Sequence, residues 1–453
     1  MSLSLTTTPY TWTPSTCATI PARVLSRRHG HAGFIAAAVL AMALSVVAFV
    51  EPSPGDIGIA ILFTFGALFR KLAWHRFPTL PLLLLSLFVF ANLVSSFYAS
   101  DLEFAISFSA ITSFMLVLWL FTIGFVSKYE EAGIRALLTG FTAGGVVSIS
   151  LSLLAYFGIL TKLSSALPML NSLQLDDTVL FFGERIRGLF KDPNVFGPYL
   201  VIVAAYATIK LREGNGLAGR VFWISTCAIC SVGILLSFSR AAWANCIVTM
   251  AVLLTLNAIT KRHRTTPRRK LGYLLIVAIV AAAAVVYALK NPRVNEFASG
   301  RSEIQDYDEG RFAKQAEALQ LGLRNPLGVG AGQSHIILGY SAHSLPLGLF
   351  AENGLIGLLA FMAFTLATLI RSVVLAQRVR NQFQRQIFAL VAAALTGTLV
   401  NSLVIDPIHW RHFWILLALG WMPLVSDSTV SSVSHRGMTS RQGWGLQKGE
   451  LCR

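Results

Sequence analysis

Residues 221–259, VFWISTCAICSVGILLSFSRAAWANCIVTMAVLLTLNAI, decide the fold. The run is nearly twice as long as the roughly 20 residues that cross a hydrocarbon core. One charge, Arg240, stands near its middle. An arginine at mid-bilayer is costly. The run therefore reads as two helices, 221–238 and 241–259, with Arg240 at the surface where the chain turns back.

Working outward, the same reading marks apolar spans at 33–50, 57–70, 80–98, 104–126, 135–160, 194–210, 271–289, 345–370, 387–405 and 411–425. The expectation is an all-α integral membrane protein with about 12 transmembrane helices. Composition agrees: the 453 residues are 55% hydrophobic and 13% charged, against about 25% charged in soluble domains. A net charge of +16 would suggest nucleic acid in a soluble protein. Here the basic residues collect in alternate loops, which is orientation and not nucleic-acid binding. Arg70 and Lys71, Lys210 and Arg212, Lys261 to Arg264, and Arg371 to Arg385 fall on one side; Glu51, Asp56, Asp101, Glu103 and Asp406 fall on the other. Both termini are then cytoplasmic, as tails 1–32 and 426–453 flanking a polytopic domain, 33–425. The long loops 161–193 and 290–344 face outward. No cleavable signal peptide is evident, because the first apolar run follows a long polar lead.

The five cysteines point to no disulfide or metal site. Cys227 and Cys230 stand one helical turn apart in an apolar run and read as a helix–helix contact. The acidic run Asp306-Tyr-Asp308-Glu309 lacks a further ligand set and reads as a solvated helix start. An amphipathic helix is expected near 310–324, with Phe312, Ala316, Leu319 and Leu323 at helical spacing. Gly328-Val-Gly330-Ala-Gly332 has the glycine spacing of a phosphate loop without its strand and helix, and reads as a flexible approach to a site. His409 and His412, flanking Trp410, are explained by interfacial anchoring, and His335 by a structural role.

Four segments carry chemistry. Arg185-Ile-Arg187 precedes Asp192-Pro193-Asn194, a turn in which Asn194 suits a helix N-cap; guanidinium groups there grip phosphate in a bidentate way. Residue spacing alone does not rank Arg185 against Arg187. Arg240 is held by a tight turn. Arg311 opens the amphipathic helix and either pairs with the acidic run or faces substrate. His343, in Ser341-Ala342-His343-Ser344-Leu345-Pro346, stands just outside a helix N-terminus, with Ser344 as cap and Pro346 in the first turn. The helix dipole disfavours imidazolium there, leaving a neutral imidazole fit to act as general base.

R-x-R-G-L-F-x-D-P-N, S-R-A-A-W, N-P-L-G-V-G-A-G and A-H-S with E-N-G-L-I-G-L, in this order over about 180–360, resemble the O-antigen ligase and polysaccharide polymerase family. The resemblance implies a metal-independent, inverting glycosyltransferase of the GT-C type in the bacterial inner membrane, without a cofactor. Its donor would be a glycan on undecaprenyl diphosphate and its acceptor a hydroxyl of lipid A core or another glycan, on the periplasmic face. Arg185 or Arg187, with Arg240 and Arg311, would hold the diphosphate; His343 would deprotonate the acceptor and Arg240 would assist the leaving group. Family members often carry Asn after the histidine, where this chain has Ser344. Ligase, polymerase and protein-glycosylating variants are not separated by the sequence. A transporter or flippase of a lipid-linked glycan is the competing class; the absence of similarity between the two halves of the chain speaks against it.

Overall fold

The computed structural model describes residues 22–73, 77–159, 180–213, 216–259, 290 and 306–424. The expected span 271–289, the basic loop 260–270, the C-terminal tail and most of the N-terminal tail lie outside the described residues, as do 160–179 and 291–305 of the two long loops.

The chain is mostly helical. In order come α1 (Ala22–Leu44), α2 (Pro54–Leu68), α3 (Thr79–Ser96), α4 (Leu102–Tyr156), a two-stranded antiparallel hairpin of β1 (Phe181–Phe182) and β2 (Arg185–Ile186), α5 (Pro193–Lys210), α6 (Leu217–Leu236), α7 (Arg240–Ile259), α8 (Asp306–Arg324), α9 (Gln333–Leu338), α10 (Leu345–Arg378), α11 (Gln382–Asn401) and α12 (Arg411–Leu419).

The count of about 12 transmembrane helices is corrected by length. Twelve helices are described, but only six, α3, α4, α6, α7, α10 and α11, are long and apolar enough to cross a membrane. The expected spans 104–126 and 135–160 are one 55-residue helix, α4, interrupted only by the non-helical backbone of Glu130. The expected spans 33–50 and 57–70 correspond to short apolar helices, His31–Leu44 and Pro54–Leu68. The expected span 411–425 is a nine-residue helix, about 14 Å long at 1.5 Å per residue, against a hydrocarbon core of about 30 Å. α5 has 18 residues but opens on Pro193-Asn194, ends on Lys210 and is almost wholly enclosed by protein.

The central run does split where its charge predicted. α6 ends at Leu236 and α7 begins at Arg240. The two helices then part: α6 packs against α5, and α7 against α11. α11 is the most enclosed of the six, and α10 lies against both it and α3. Aromatic side chains fill the centre, with Trp119, Phe361, Phe364, Phe388 and Trp414 fully buried. α1 crosses α4 at Gly140 and Gly144, where an added Cβ would lie 2.3 Å and 2.5 Å from the carbonyl oxygens of Val39 and Ala43. Small residues four apart let two backbones touch without an intervening side chain.

Some polar side chains inside this bundle are paired across helices. Asn92 on α3 donates to Asn353 Oδ1 on α10 at 2.7 Å and accepts from Ser109 on α4 at 2.8 Å. Cys227 and Cys230 are free and buried, and the Cys227 thiol faces Ala204 O and Thr208 on α5, as the helix-contact reading expects.

Candidate functional site

The α6–α7 turn is made by three residues. Phe238 takes a left-handed conformation (φ 47°) and is buried. Ser239 precedes α7: its carbonyl accepts from Trp243 N at 3.0 Å and its hydroxyl from Ala242 N at 3.3 Å. The Trp243 indole donates back to Ile234 O at 3.0 Å and closes the turn. Arg240 is thus the first residue of α7, half-buried.

The β1–β2 hairpin stands next to this turn. Leu180 and Ile186 enter the core, while Phe182 stays exposed. Arg185 is buried at 7% exposure, and two of its nitrogens donate to protein. Nε donates to Ser237 O at 2.8 Å and Nη2 to Asn194 Oδ1 at 2.8 Å. Arg185 therefore ties three segments together: the hairpin, the turn before Arg240 and the start of α5. Arg187 is half-buried and curls onto its own turn, Nη1 donating to Lys191 O at 3.0 Å. Of the two arginines, Arg187 reaches solvent and Arg185 is buried.

α5 is capped by Asp192 and not by Asn194. The Asp192 side chain accepts from Asn194 N at 2.8 Å, and Pro193 occupies the first turn. Asn194 instead serves Arg185.

His343 is half-buried and takes a left-handed backbone (φ 43°), a conformation rare outside glycine. Its ring stands edge-on to Tyr340, centroids 4.7 Å apart, and its carbonyl accepts from Gln315 Nε2 at 3.3 Å. Its pKa is pushed below the usual histidine value, first by burial, then by the charges of Arg311 and His335, against an opposing pull from Asp192. The shift favours the neutral imidazole, and burial and Arg311 lead it. Ser344 occupies the N-cap position of α10, yet its side chain makes no cap bond. Pro346 lies in the first turn as expected.

Arg311 reaches across from α8, Nη1 donating to Val404 O at 3.4 Å, beside Gln315, which also donates to Leu403 O at 3.1 Å. The structure thus brings His343 within the electrostatic reach of Arg311 and Asp192, and joins Arg185 to the turn that carries Arg240. The acidic run 306–309 forms the start of α8. Among the described residues no group of three or more His, Cys, Asp or Glu is placed to hold a metal ion.

Three features escaped the sequence reading. Asp406 lies in the α11–α12 loop, its side chain accepting from Ile408 N at 2.9 Å and facing Gly348 of α10; burial raises its pKa to about 6. Glu352, inside the E-N-G motif, accepts from Gly332 N at 2.9 Å and from the Ser334 hydroxyl, which pins the glycine loop to α10. His409 and His412 are packed inward and are not interfacial anchors. His409 Nε2 lies 2.9 Å from Thr112 Oγ1, and burial with the Arg411 charge lowers its pKa to about 4; His412 is buried against Tyr199 and Trp410. No local pattern announces Gly332 for Glu352, Thr112 for His409 or Tyr199 for His412, because each partner is distant in the chain.

Residues 225–362 match the O-antigen ligase family. The match covers less than a third of the chain but contains Arg240, Arg311 and His343. The R-x-R segment and the hairpin that bears it lie outside it. Curated proteins show no match to the chain. The matched segment begins in α6 and ends in α10, so it spans the turn at Arg240, α8, the glycine loop and the His343 loop.

Proposed function

We propose that the protein is a membrane glycosyltransferase that moves a glycan from undecaprenyl diphosphate to an acceptor hydroxyl at the periplasmic face of the bacterial inner membrane. The observation that carries this reading is the setting of His343: a half-buried imidazole whose pKa is lowered by burial and by the Arg311 charge, within the segment that matches the O-antigen ligase family.

In this mechanism His343 takes the acceptor proton as the hydroxyl oxygen attacks the anomeric carbon. The bond from that carbon to the diphosphate breaks, and undecaprenyl diphosphate leaves with the electron pair and its negative charge. The anomeric centre inverts. Arg240, Arg187 and Arg311 offset the charge that develops on the leaving group, a fixed electrostatic role of the kind that contributes most in water-poor sites. Arg185, already committed to Ser237 and Asn194, positions the Arg240 turn and does not itself bind phosphate. No divalent ion takes part, so chelators leave the rate unchanged.

The test uses the purified full chain in lipid nanodiscs with a synthetic undecaprenyl-diphosphate glycan. His343→Ala is expected to lower transfer by about a hundredfold or more. Arg240→Lys should also be strongly impaired, because ammonium lacks the bidentate fork. Near-normal transfer by a folded His343→Ala protein sinks the mechanism. Glycan analysis in a deletion strain then identifies the acceptor: single repeats without polymer mean a polymerase, and full-length unattached polymer means a ligase.

A further inference from the structure

α8 carries three distinct faces, and only two have a partner on the page. Residues 311, 315, 318 and 322 form one stripe and face the protein. Gln315 bonds to His343 O and Leu403 O, Ala318 is fully buried, and Gly322 lies against the Phe350 ring. Lys314 and Glu317 pair at 2.7 Å, and with Gln320 and Arg324 they make a charged face. At about 100° per residue, Phe312, Ala316, Leu319 and Leu323 form a third stripe, turned by about a quarter of a circle from the protein-facing one. Phe312 is 54% exposed, Leu319 43% and Leu323 65%.

This stripe lies at the level where spans end. α8 contacts the loop after α11 and the first turns of α10. One turn further along, α10 presents Leu355 and Leu359, exposed on a helix long and apolar enough to cross a membrane. The apolar stripe of α8 therefore continues the lipid-facing surface of α10, with its charges on another side. That is the arrangement of a helix lying in the plane of the interface.

We propose that α8 is seated on the membrane, with Phe312, Ala316, Leu319 and Leu323 among the acyl chains at the boundary where α10 begins. The occupant is the bilayer. Because α8 also carries Arg311 and Gln315, the lipid surface fixes the height of the helix that touches the His343 loop. This inference is independent of any transferase activity, since it is read from the exposed apolar face of α8 alone.

The test uses the full chain with Cys17 and Cys452 replaced by Ala and the three membrane-helix cysteines retained. Single variants L319C, L323C, Q320C and L359C are labelled with bimane, with the unsubstituted background as blank. The labelled proteins are reconstituted in phosphatidylethanolamine–phosphatidylglycerol vesicles. Doxyl-labelled phospholipid is expected to quench positions 319 and 323 nearly as well as 359, and several-fold better than 320. Iodide is expected to show the reverse order. Iodide quenching at 319 and 323 equal to that at 320 overturns the proposal. Protection from both quenchers, with disulfide cross-linking of L323C between copies, also overturns it and assigns the face to a second copy.

Discussion

At the scale of single residues, His343 was legible because its neighbours are local: a polar loop, a histidine, then a proline in the first turn of an apolar helix. What shifts it was not legible, because Arg311 and Asp192 come from other segments. Their opposite pulls give a directional prediction. A base must be neutral, so transfer should rise with pH through the His343 pKa, which lies below the usual value of about 6.5. Arg311→Met removes a positive charge that disfavours imidazolium, so the acid limb should move to higher pH. Asp192→Asn removes a negative charge that favours it, so the limb should move lower. A pH–rate profile for each variant checks the pair of signs. Equal shifts of both limbs in one direction would mean that the residues act through folding and not through charge. Arg185 shows the converse limit. The sequence places it beside Arg187, but only the fold shows that Ser237 and Asn194 have claimed it.

At the scale of elements, the E-N-G motif and the glycine-rich loop turn out to be two halves of one joint. α10 breaks at Gly354, whose φ of 67° and ψ of −172° belong to a region almost closed to other residues. The loop 325–332 enters the break like an added strand: Val329 N donates to Ala351 O at 3.0 Å, Gly330 N to Glu352 O at 3.1 Å, and Leu355 N to Pro326 O at 2.9 Å. The loop is docked, where the glycine spacing had suggested a flexible approach. Neither half reveals this alone, since hydrogen bonds between backbones leave no mark on side-chain pattern. A Cβ at Gly328 would meet Glu352 O at 2.3 Å, and one at Gly354 would meet Pro326 O at 2.3 Å. Gly328→Ala and Gly354→Ala should each cost about 2 kcal/mol or more. Gly310, helical and facing open space, is the contrast: Gly310→Ala should gain up to about 1 kcal/mol. Thermal unfolding in detergent reads all three. A tolerated Gly354→Ala would show that the joint is not what holds the two halves together.

At the scale of the whole molecule, the membrane class was legible from apolar runs and the hairpin at Arg240 from the cost of a buried charge. The count was not, because a hydrophobic run does not disclose whether it is a span, a short helix enclosed by others, or half of a longer helix. α2 and α12 are the instructive pair. Both are too short to cross, and both begin at the same ion pair. Arg411 Nε donates to Asp56 Oδ1 at 2.5 Å and its Nη2 to the other carboxylate oxygen, with side-chain exposures of 15% and 7%. Asp56 also completes a capping box with Ser53, accepting from Ser53 N at 2.9 Å. The sequence reading placed Asp56 among the outward-side acidic residues and did not link it to Arg411, because nothing local relates residues so distant in the chain. Breaking one side of a buried pair strands the other charge and costs about 3–5 kcal/mol. Arg411→Met leaves the carboxylate with its bond from Ser53 N, whereas Asp56→Ala strands the guanidinium and also removes that capping-box bond, which adds about 1 kcal/mol. Asp56→Ala should therefore be the more damaging single change. The double variant should lose less than the two losses added together, because no charge is then left stranded. A double-mutant cycle on thermal unfolding measures that difference. Simple additivity would mean that the pair is not coupled and that α2 and α12 are held by packing alone.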